Sequence, residues 1–145
     1  FIEPYTPAHQ LVIYGKAPVA EALKKLAPQF GWATEIANED SEPTISGTLV
    51  VTVVATQGNQ DLKALSAAIN SRPAFISFVG SKKKFSSLKE KLVKGGCAAT
   101  DLKNVKAPAG LDIGAVTPEE ISLSILAELL QVRKNFRNGV YDKDS

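Results

Sequence analysis

Few side chains in this sequence could make or break covalent bonds. It contains one histidine, His9, and one cysteine, Cys97. A Ser-His-Asp relay needs its histidine beside a nucleophile and an orienting acid, and His9 precedes the first expected strand without such neighbours. One histidine and one cysteine also exclude a zinc site built from several such ligands, and a lone cysteine cannot close an intramolecular disulfide. Cys97 follows Gly95-Gly96 in an expected loop and reads as a bystander thiol. Glu39, Asp40 and Asp112 could hold magnesium through a phosphate, but no spacing demands it. The sequence therefore assigns no catalytic residue and no metal ligand. What it offers is recognition chemistry, in Gly15, Lys16, Ala17, Asn38, Thr56, Gly58, Asn59, Gly80, Ser81, Lys82, Gly110 and Asp112. Backbone N–H groups and Lys82 suit phosphate, and Asp112 or Asn59 suits heteroatoms on a ring.

The elements that must position these residues show in the alternation of short apolar runs with helix-period segments. Leu11 to Tyr14 reads as a buried strand closed by Gly15. Val19, Leu23, Leu26, Ala27 and Phe30 give one apolar helix face, with a stop at Gly31. Trp32 to Ala37 is a second strand, and the polar stretch from Asn38 to Gly47 is a loop. Thr48 to Ala55, rich in β-branched residues, is the strongest strand. Leu62, Leu65 and Ile69 mark a helix, Ala74 to Val79 a strand, and Phe85, Leu88 and Leu92 a lysine-rich helix ending at Gly95-Gly96. Val105 to Ala107 is a short last strand. Thr117-Pro118-Glu119-Glu120 then combines a capping threonine, a first-turn proline and a glutamate able to reach back to the cap. Ile121, Ile125, Leu129 and Val132 continue that helix towards Phe136.

Strand–helix units in this order predict an α/β fold: a Rossmann-like three-layer sandwich with a mostly parallel, doubly wound sheet. The expected organisation is a single domain over residues 1–145, with an ordered core of about 6–137 and a frayed polar tail at 138–145. Ligands of such sheets bind outside the carboxyl ends of the strands, which selects the segments after each strand. Gly15-Lys16-Ala17-Pro18-Val19-Ala20 stands where a dinucleotide fingerprint would, but Ala17 replaces its middle glycine and Pro18 lacks an N–H. Asn38 stands where a ribose-binding acid belongs, with Glu39 and Asp40 displaced. Tight NAD(P) binding is thus weakened, and a plain strand–helix turn fits equally well. After the best strand, Asn59 or Gln60 lies near a helix cap, with Asp61 structural and Gly58 lining. Lys82-Lys83-Lys84 opposes the helix dipole, as either an anion site or a solvated face. Gly110 and Gly114 bracket Asp112, which either faces the crevice or satisfies loop N–H groups.

The net charge of +2 does not advertise a nucleic-acid partner, and no apolar run is long enough for a membrane span. With no methionine and a start at Phe1, the sequence is expected to be a trimmed domain or fragment of a cytoplasmic protein.

Ala107-Pro108-Ala109-Gly110-Leu111-Asp112-Ile113-Gly114-Ala115, with Thr117-Pro118-Glu119-Glu120-Ile121 and Ser124-Ile125-Leu126-Ala127-Glu128, resembles the signature of the XdhC/CoxI family. These are accessory proteins for molybdenum hydroxylases such as xanthine dehydrogenase and carbon monoxide dehydrogenase. Leu11 to Ala20, Val53 to Asp61 and Phe78 to Lys83 fit in the right order, so the resemblance runs from about Thr6 to Arg133. It implies a Rossmann-like C-terminal domain that binds the molybdenum–pterin cofactor, aids its sulfuration and delivers it to the apo-enzyme. A molybdenum hydroxylase is the implied partner and a cysteine desulfurase a second, with self-association left open. The family's usual Gly-Ala-Gly-His is Gly15-Lys16-Ala17-Pro18 here. Two readings of other classes remain: an NAD(P)-dependent oxidoreductase or nucleotide-binding regulatory domain, and an interaction domain with an empty crevice.

Overall fold

Runs of β-branched and aromatic residues form the strands of this chain, and the computed structural model describes residues 9–38, 49–56, 58 and 60–137. The expected loop from Asn38 to Gly47 beyond its first residue (with Glu39 and Asp40), Thr48, Gln57, Asn59 and both chain ends lie outside the described residues. Strand β1 is His9–Tyr14, followed by α1 at Pro18–Leu26, a 3₁₀ turn at Ala27–Phe30 and β2 at Trp32–Ala37. Then come β3 (Val50–Val54), α2 (Asp61–Asn70), β4 (Phe75–Phe78) and α3 (Lys82–Lys94). A short α4 (Ala99–Leu102), the two-residue β5 (Val105–Lys106) and the long α5 (Pro118–Arg137) complete the order.

Among the described residues all five strands are parallel, in the order β2-β1-β3-β4-β5. The chain steps outward from β1 to β2, then returns past β1 to build β3, β4 and β5 on its other side. The order reverses between β1 and β3, where open α/β sheets place their ligand crevice. Because side chains alternate along a strand, β1 feeds two cores. Leu11 and Ile13 join α1 and α5 on one face; Val12 and Tyr14 join α2 and α3 on the other. Both faces are covered, so the fold is the expected Rossmann-like three-layer sandwich.

Some boundaries differ from expectation for identifiable reasons. The first helix tightens into a 3₁₀ turn after Leu26 because Pro28 has no N–H for the next helical bond, and Phe30 ends 43% exposed instead of on the buried face. Among the described residues the ladder of β3 runs over Val50–Val54, and Ala55 N–H still reaches Tyr14 O at 2.7 Å; Thr48, where the expected strand begins, lies outside the described residues. Leu62 points outward from α2, which buries Ala64, Leu65, Ala68 and Ile69 instead. Phe136, at the far end of the α5 stripe, is 37% exposed and meets the His9 ring edge-on. Helix α4 was not legible: four residues that bury Leu102 carry no measurable period.

Candidate functional site

Parallel pairing puts the carboxyl ends of β1, β2, β3, β4 and β5 on one edge of the sheet, and α5 also begins there. Four of the loops that follow them, after β1, β3, β4 and β5, are tied together by backbone. The turn after β1 presses against the end of β3: Gly15 has φ +113°, and a Cβ there would overlap the Ala55 carbonyl and stand 2.9 Å from Thr56 Cα. Only glycine allows that approach. Ala55 N–H bonds Tyr14 O, Val79 N–H bonds Val54 O at 2.9 Å, and Ala109 N–H bonds Phe78 O at 2.9 Å, carrying the ladder pattern on into the loops.

Lys16 is exposed at this edge. Ala17 caps α1 in an extended conformation, and its N–H is directed at Ala55 O, 3.3 Å away. With that donor engaged and none on Pro18, the turn has lost two of the amides that would cradle a pyrophosphate. Asn38 is exposed at the end of β2.

After β3, the buried Asp61 organises the loop. Its carboxylate accepts from the Thr56 hydroxyl and from Gly58 N–H at 3.1 Å, and pairs with Lys84 Nζ at 3.1 Å. Asp61 is therefore structural, as its place in the sequence suggested. Gly58 lies exposed 3.6 Å (from a would-be Cβ) below Lys84 Nζ. Lys84 is thus drawn onto Asp61, which compensates one of the three lysines opening α3. Lys82 and Lys83 remain exposed. Ser81 caps α3, its Oγ accepting from Lys84 N–H at 3.1 Å, while Gly80 lies against the Phe78 ring, leaving no room for a Cβ.

The loop after β5 is held from beneath. Gly110 is buried with φ +93°, and a Cβ would collide with Ser124 Oγ and stand 3.1 Å from Ile125 N. Its N–H donates to Glu128 Oε1 at 3.1 Å, so Gly110 serves packing and its amide is not free for a ligand. Asp112, by contrast, is exposed and bonds no described residue; the alternative that it satisfies loop N–H groups does not hold. Downstream, Glu120 Oε1 accepts from Val116 N–H (2.9 Å) and Thr117 N–H (3.2 Å), and Thr117 Oγ1 accepts from Glu120 N–H at 3.1 Å. This is the capping box written in the sequence. Those two backbone donors hold the Glu120 carboxyl below the ordinary range.

Sequence reasoning missed Glu128, whose carboxylate meets Lys106 Nζ at 2.6 Å and Ser77 Oγ at 3.4 Å. The signal was present: Glu128 falls three residues after Ile125 and four before Val132, on the buried stripe. His9 sits at the opposite, amino-terminal edge, its pKa lowered by burial and then by Arg133 and Arg137. Cys97 is half-buried near the end of α3. Among the described residues no group of three or more His, Cys, Asp or Glu is placed to hold a metal ion, and no helix is long and apolar enough to cross a membrane.

The fold defines a Rossmann-like α/β domain with a parallel sheet. More particularly, residues 11–129 match the XdhC Rossmann domain model, and the chain belongs to that family. It is 26% identical over 132 residues to the molybdenum cofactor insertion chaperone PaoD of Escherichia coli K12, covering 89% of this chain and 42% of PaoD. It is 37% identical over 93 residues to the uncharacterized protein YqeB of the same organism, covering 64% of this chain and 17% of YqeB. The chain thus spans less than half the length of these relatives. A crystal structure of a Bacillus halodurans protein described as a xanthine dehydrogenase superposes with a TM-score of 0.68 at 23% identity, covering 90% of this chain and 44% of that one, a likeness of fold.

Proposed function

We propose that this chain is an accessory domain in the maturation of a molybdenum hydroxylase, holding the molybdenum–pterin cofactor, or a nucleotide, at the carboxyl edge of the sheet and docking the client enzyme. The observation that carries this reading is the character of that edge: Lys82, Lys83 and Asp112 are exposed there, with no histidine or thiol beside them. Such a donor set fits the cofactor, since lysine ammonium groups suit its phosphate and a carboxylate suits the N–H groups of its pterin ring. Relationship to PaoD along 89% of the chain supports the same reading. The domain would bind and release its cargo without transforming it. A cysteine desulfurase that supplies sulfur to the cofactor is the second partner in this scheme.

Titration of the purified protein with molybdopterin, NAD and NADP tests it. Saturable binding of molybdopterin is expected, weakened about tenfold by Asp112→Ala or Lys82→Ala. Both side chains are exposed, so thermal unfolding should be unchanged. Saturation by NAD or NADP alone would favour an oxidoreductase, and silence towards all three an interaction domain with an empty crevice.

A further inference from the structure

We propose that Glu128, paired with Lys106, is a positioning residue for this edge: it fixes the Gly110–Asp112 segment and so sets where Asp112 stands. This inference rests on the reading that Asp112 faces the ligand.

Helix α5 buries Ile125, Leu126, Leu129 and Val132 against the sheet, and Glu128 lies among them at 6% exposure. A carboxylate there has to give up water, and a well-packed apolar side chain would serve stability as well or better. Its presence calls for a role in specifying geometry. Its two closer partners both hold the same segment. Glu128 Oε1 receives Gly110 N–H, and Oε2 receives Lys106 Nζ. That same ammonium reaches Pro108 O at 3.1 Å and Gly110 O at 3.2 Å. The Ser77 hydroxyl adds a long contact of 3.4 Å from β4. Four parts of the fold, β4, β5, the loop and α5, are thereby joined through one carboxylate.

The clamp acts two residues from the group it serves. Gly110 is pressed onto α5 with both its N–H and its carbonyl engaged, and Leu111 N–H is taken by Ser124 O at 3.1 Å. Asp112 follows directly, exposed and unpaired among the described residues. Two consecutive anchored residues leave its backbone little freedom, so the carboxylate is held out at the edge without touching Glu128. Glu128 therefore influences the ligand only through the loop.

Three variants test this: Glu128→Gln, which keeps the shape and removes the charge, Lys106→Met, and Lys106→Arg, which restores the cation. Amide hydrogen exchange over residues 110–115, exchange of the β3 amides, and molybdopterin affinity are measured on each. In Glu128→Gln and Lys106→Met, exchange over 110–115 should rise at least tenfold while β3 stays protected, and affinity should fall about tenfold, with Lys106→Arg recovering both. Unchanged exchange over 110–115, or an equal rise in β3, overturns the clamp and leaves Glu128 a packing residue. A loosened loop with undiminished affinity overturns its bearing on the ligand. If the unaltered protein binds no molybdopterin, the proposed function falls, while the exchange data still decide whether Glu128 holds the loop. Should Glu128→Gln fail to fold, Lys106→Met, changed at a 45% exposed side chain, decides the same question.

Discussion

Thr52 shows how a single residue in this core departs from what packing alone would choose. It is buried in the middle of β3, and its hydroxyl meets no partner among the described residues. An unmatched buried hydroxyl lost its water on folding and gained nothing in return. Thr52→Val, which has nearly the same shape, is expected to stabilise the protein by roughly 1 kcal/mol, read as a higher urea midpoint with an unchanged slope. A lower midpoint would show that the hydroxyl has a partner after all. At this scale the sequence was only partly legible. Gly15 announces itself as the glycine closing a strand, and its contact with Ala55 is the reason. Glu128 passed unnoticed because a helix stripe is read from its apolar members, and its main partners, Lys106 and Gly110, stand 22 and 18 residues earlier in the chain.

Elements that carry their own local signals were read correctly; the short helix α4, defined by its distant partners, was not. The start of α5 needs only Thr117, Pro118 and Glu120, all within one turn, and the capping box formed as written. Helix α4 exists because the core receives Leu102, and it has too few residues to show a period; β5, shorter still, was read from the sequence at Val105 to Ala107 and forms at Val105–Lys106. The cap also gives α5 a pH dependence whose sign is fixed. Backbone donors from Val116 and Thr117 lower the folded-state pKa of Glu120. Its contribution is therefore complete above the ordinary glutamate pKa and fades as pH falls through the lowered value. Comparing melting temperatures of the protein and of Glu120→Gln from neutral pH down to about pH 3 should show a gap that closes on acidification. A gap independent of pH would mean that the carboxylate charge contributes nothing to the cap.

For the whole molecule, one sheet is shared by two apolar clusters, one under α1 and α5 and the other under α2 and α3. Neither can form without the strands of the other, so the domain should unfold in one step. Leu23 and Leu65 are fully buried on opposite faces. Leu23→Ala and Leu65→Ala should each cost about 2–5 kcal/mol, and the double variant should lose their sum to within about 0.5 kcal/mol. Denaturant curves with two transitions, or strong coupling between the two sites, would contradict a shared sheet acting as one unit. This architecture was largely visible beforehand, because alternating strand and helix periods with near-continuous apolar strands admit few arrangements. Which loop amides are left for a ligand was not visible, since that depends on pairings such as Ala17 with Ala55 that join different segments. Synthesis order gives α5 one further consequence. Leu11, Ile13, Val51 and Val53 wait for Ile125, Leu126 and Leu129 to cover them. A chain still emerging from the ribosome must carry that sticky surface uncovered until residues 118–137 are made, the stage at which holding chaperones would matter most.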